Sequence, residues 1–113
     1  MSKAYYCVEL RFSDSTGRMG QNMTDRCSEE QKRALIELIN NENLKPYDIE
    51  FPSPYFPPHH CLSLHFHIDA EHRILALKEV PKISKHYETL LSKQQLSVHS
   101  IEFDNDLLPK NCL

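Results

Sequence analysis

The stretch Cys61-Leu62-Ser63-Leu64-His65-Phe66-His67-Ile68-Asp69 decides the fold. Apolar and polar residues alternate along it: Leu62, Leu64, Phe66 and Ile68 on one side, Ser63, His65, His67 and Asp69 on the other. A period of two is the signature of a strand that buries one face and shows the other to water. Residues 4–12 repeat the pattern, with Tyr6, Val8, Leu10 and Phe12 set against Tyr5, Cys7, Glu9 and Arg11.

Between these strands lies a helix. Ser28-Glu29-Glu30-Gln31 is a capping-box start, Leu35, Leu38 and Ile39 recur at helical spacing, and Asn40-Asn41 supplies the stop. A short strand is expected over 47–51. After the histidine-bearing strand, Asp69 is expected to cap a second helical region with apolar positions Ile74, Leu77, Ile83, Tyr87 and Leu90 or Leu91. Pro81 interrupts it and predicts a kink or a restart there. Residues 96–103 form the last strand, and the slip in alternation between Val98 and Ile101 predicts a bulge.

The resulting order is β-α-β-β-α-β in one domain over 1–113, with the core in 4–103 and a loose tail in 104–113. Four strands and two helices in that order predict an α+β fold of the ferredoxin-like kind. Its sheet is four-stranded and antiparallel, with both helices on one face. The first and third strands are then central neighbours. Their apolar sets face the helices, and their polar sets share an open face.

Composition narrows the functions available. Of the 113 residues, 13 are basic and 16 acidic, giving a formal charge of −3, which argues against a nucleic-acid coat or a polybasic membrane anchor. No apolar run reaches the length of a transmembrane helix. Residues 1–10 lack a signal pattern, so the expectation is a cytoplasmic protein with reduced thiols. Cys7, Cys27, Cys61 and Cys112 form no Cys-x-x-Cys pair, and Gly17 and Gly20 are too few for a phosphate-cradling loop.

Histidine is the unusual residue. Five of the seven fall at positions 59, 60, 65, 67 and 72. Alternate residues of a strand project about 7 Å apart on one face, so His65 and His67 together suit one zinc ion, with Glu9 or Cys7 completing the set. An imidazole also titrates near neutrality. A metal-free RNA-processing reaction would use His65 or His67 with Tyr5, while Arg11 stabilises phosphate charge. The plain alternative is a solvated strand face.

The second unusual feature is Pro52-Ser53-Pro54-Tyr55-Phe56-Pro57-Pro58. Its backbone is stiff, and Tyr55 and Phe56 offer contact area at low entropic cost, the profile of an interface anchor. With Asp48 and Glu50 beside it to steer a basic partner, the leading expectation is a non-enzymatic protein that binds another protein, of the inhibitor or immunity type, blocking a toxin or nuclease. No cofactor is expected under that reading. The alternatives are the histidine-dependent or zinc-binding enzyme on the open face, and a ligand-sensing homodimer paired through it.

Overall fold

The computed structural model describes residues 4–14, 29–51, 62–104 and 106–108. Strand β1 is Ala4–Asp14, helix α1 Glu29–Asn40, strand β2 Asp48–Glu50, strand β3 Leu62–Ala70, helix α2 Arg73–Ser92, strand β4 Leu96–Phe103 and strand β5 Asp106–Leu108. The sheet runs β2-β3-β1-β4-β5, and every neighbouring pair is antiparallel. The first four strands and two helices reproduce the split β-α-β arrangement expected from the alternation, with β1 and β3 side by side.

The apolar faces of β1 and β3 meet the helices. Val8, Leu10, Phe12, Leu62, Leu64, Phe66 and Ile68 are buried, in one cluster with Leu35 and Ile39 of α1 and Ala76, Val80, Ile83, Tyr87 and Leu91 of α2. The Phe66 and Tyr87 rings lie 5.1 Å apart, tilted by 56°, within the centroid range of favourable aromatic pairs. The Tyr87 hydroxyl donates to the Leu44 carbonyl, fastening the connection between α1 and β2 to helix α2. Burial, and after it the nearby Glu42 carboxylate, push this phenol up to about 12.

The expected slip in β4 is a bulge. Arg11 pairs with Ser100 but Phe12 pairs with Val98, so His99 is the extra residue, and the shift lets Val98 and Ile101 both face the core.

Four expectations are corrected. The N-cap position of helix α2 is held by His72, whose side chain makes no capping hydrogen bond, and not by Asp69, which is still in strand β3. It is one helix with Pro81 inside, so of the expected kink or restart the restart does not occur. Its buried face begins at Ala76, and Ile74 is 64% exposed. Residues 106–108, expected in a tail, form β5 against β4, with Asp104 entering the turn at φ 49°. The proline-rich segment and its anchors Tyr55 and Phe56 lie outside the described residues.

Candidate functional site

The open face is built by register. Across β3 and β1 the pairs are Asp69–Tyr5, His67–Cys7, His65–Glu9 and Ser63–Arg11. Glu9 lies opposite Glu102 of β4, and Asp48 and Glu50 of β2 lie opposite His65 and Ser63. One row across the sheet therefore reads Asp48, His65, Glu9, Glu102. Side chains in such a row sit about 5 Å apart, within reach of one another.

Three groups form on this face. The first is an ion-pair network: Arg11 Nε donates to Glu9 Oε2 at 2.8 Å, and its Nη2 donates to Glu102 Oε2 at 3.3 Å. Burial by itself would raise the Glu9 carboxyl. The hydrogen bonds from Arg11 and Ser63 and the charges of Arg11 and His65 outweigh it and hold the group below its ordinary value.

The second group is aromatic. Tyr47 stacks on His67 with ring centres 3.9 Å apart, and Tyr5 leans on the same imidazole at 5.6 Å. The Tyr47 backbone N–H donates to the His65 carbonyl, which sets the ring beside the sheet. Tyr5 is nonetheless 72% exposed and Tyr47 54%. Desolvation, then the Cys7 thiol and the Asp48 and Glu9 carboxylates, raise the Tyr47 phenol.

The third group centres on His65. Its Nε2 lies 3.0 Å from Glu50 Oε1 and 4.0 Å from Glu9 Oε2. The Asp48, Glu50 and His65 ligand atoms all fall within 4.8 Å of one another. A shallow cleft of about 330 Å³ opens beside it, lined by Cys7, Val8, Glu9, Tyr47, His65, Glu102 and Asp104.

The expected site residues are thus divided. Tyr5, Cys7, Glu9, Arg11, His65 and His67 do share the open face. The expected zinc set of His65, His67, Glu9 and Cys7 is not the one assembled, because His67 is taken up by two tyrosines and β2 brings Asp48 and Glu50 to His65 instead. Arg11, expected to stabilise phosphate charge in the RNA-processing alternative, is paired with the Glu9 and Glu102 carboxylates. Sequence reasoning missed Glu102 and Tyr47 as members of this face. Both follow from strand register: Glu102 from the phase of β4 after its bulge, Tyr47 from its place just before β2.

Comparison of the chain with models of protein families, with curated proteins and with solved structures finds no match.

Proposed function

We propose that the protein is a binding module of the inhibitor type, and that its open sheet face receives a basic segment of another protein. The observation that carries this reading is the pairing of two exposed tyrosines with an acidic centre. Tyr5 and Tyr47 stand in water, 72% and 54% exposed, beside a row that carries Asp48, Glu9 and Glu102. Tyrosine is favoured in such a position because it adds contact area and a hydrogen-bonding tip with few rotors. Carboxylates at the centre speed association with a cationic partner and repel an anionic one.

The same charge argues against the alternatives. Phosphate-bearing ligands meet carboxylates, with Arg11 already engaged by Glu9 and Glu102. Two copies of the chain stacked through this face bring like charges together, a cost a basic partner does not carry. In this reading Asp48 and Glu50 keep the steering role expected of them, while the anchors on the described surface are Tyr5 and Tyr47.

A panel of immobilised peptides of graded charge tests the proposal. Arginine- and lysine-rich peptides are expected to retain the protein, to release it as salt is raised, and to lose at least tenfold in affinity for Tyr5→Ala/Tyr47→Ala protein of unchanged melting temperature. Equal retention by acidic peptides, retention by single-stranded RNA in their place, or unchanged affinity in the double variant overturns it.

A further inference from the structure

His65 Nε2 is sealed from solvent and makes no hydrogen bond among the described residues. Glu50 Oε1 approaches it at 3.0 Å without the alignment a hydrogen bond needs. A buried ring nitrogen without a partner is costly, and native structures rarely leave one so. This nitrogen faces carboxylates on two neighbouring strands.

We propose that Asp48, Glu50 and His65 form a binding site for a divalent cation of the zinc class. The inference is independent of the protein-binding reading, because it requires only the pairing of β2 with β3. That pairing sets Asp48 directly opposite His65, and Glu50, two residues along the same strand, projects from the same face. The three ligand atoms lie within 4.8 Å of one another, against about 3.4 Å between ligands of a tetrahedral zinc. Rotation of the carboxylates closes that gap, since Glu50 is 61% exposed and its side chain has room to turn.

The donor set selects the ion. An imidazole nitrogen favours zinc and other first-row metals, whereas magnesium and calcium prefer oxygen alone. Three protein ligands leave a fourth position for water or for Glu9, whose Oε2 is 4.0 Å from the same nitrogen. Around this centre, Ser63 and Arg11 hold Glu9 by hydrogen bonds, the type of surrounding contact that orients a ligand.

Calorimetric titration of the untagged chain with zinc chloride, and separately with magnesium and calcium chloride, tests the site. One equivalent of zinc is expected, bound at least tenfold more tightly than either other ion. Asp48→Asn and His65→Gln should each weaken it roughly tenfold or more, while His67→Ala leaves it unchanged. Asp48 is exposed, so its variant keeps the fold even if the His65 change does not. Absence of zinc binding overturns the proposal. So does zinc binding indifferent to Asp48→Asn, which would assign the ion to the other histidines, or magnesium and calcium bound as tightly as zinc.

Discussion

The two faces of strands β1 and β3 are made by alternate residues of the same segments, yet they are built on opposite rules. On the covered face Leu10, Phe12, Leu64 and Phe66 are at most 1% exposed and touch both helices' residues in one cluster. Such contacts are non-directional and additive in area, so the face is stable but chemically mute. On the open face, one position away at every step, side chains meet particular neighbours: Arg11 bonds Glu9 and Glu102, His67 meets the rings of Tyr5 and Tyr47, and His65 lies beside Glu50 without a hydrogen bond. Partly solvated charge pairs of this type add little stability. A pleated strand thereby separates the residues that hold the fold from those that meet a ligand, and substitutions should separate in the same way.

The largest effect is expected on the covered face. Phe66→Ala removes a ring that is 1% exposed and packed on Tyr87, and should lower unfolding free energy by roughly 3–5 kcal/mol in a urea melt. A comparable loss from Tyr5→Ala would break the distinction between faces, because Tyr5 is 72% exposed.

The next effect is smaller and depends on pH. Tyr87 is fully buried, and its phenol is raised from 10.0 to about 12 in the folded protein. Below pH 10 the phenol is neutral in both states, and its contribution is fully present. As pH climbs from 10 toward 12 the unfolded chain releases this proton while the folded chain retains it, so stability falls. The loss attributable to Tyr87 should approach about 2 kcal/mol near pH 12. Tyr87→Phe, which lacks this proton, should show a shallower decline over the same range. Parallel melting curves for the two proteins would show that the buried hydroxyl is not the source. At neutral pH the same variant should be about 1 kcal/mol less stable, because the Leu44 carbonyl loses its donor.

The covered face was largely legible in the sequence because burial follows from alternation, which needs no knowledge of neighbours. That is why Val8, Leu10, Leu64 and Phe66 were assigned to the core correctly. Helix α2 was harder. Ala76 carries little apolar area, and the larger Ile74 drew only the start of the expected stripe off the buried line, which begins with Ala76 and Val80 and continues through the expected Ile83 and Tyr87. Strand β5 was missed for a local reason. Phe103 pairs with Asp106 and the chain turns at Asp104, where Asp tolerates the positive φ but signals a turn less strongly than a glycine would. On the open face the residue types were readable and their grouping was not. Alternation places His65, His67, Glu9 and Cys7 on one face, but which of them meet depends on the register of β2, a three-residue strand with no periodicity to read. Only the paired structure brings Asp48 and Glu50 to His65 and leaves His67 between tyrosines.

The smallest effect tests the open face on its own terms. Arg11 lies between Glu9 and Glu102, which are directly opposite each other in the β1–β4 register. Arg11→Ala leaves two carboxylates facing across the strands with their shared cation gone. Because the Arg11 side chain is 39% exposed, solvent screens much of the interaction, and the loss should stay within about 1 kcal/mol. Its character identifies it more surely than its size. Repulsion between the carboxylates is screened by salt, so the deficit of Arg11→Ala should shrink as ionic strength rises, and Glu102→Gln added to it should recover most of the loss. The Phe66→Ala deficit has no such remedy, since apolar contact is not weakened by screening. A deficit in Arg11→Ala that persists at high salt would mean that its alkyl stem, not its charge, supports the sheet, and the two faces would then differ less than their chemistry implies.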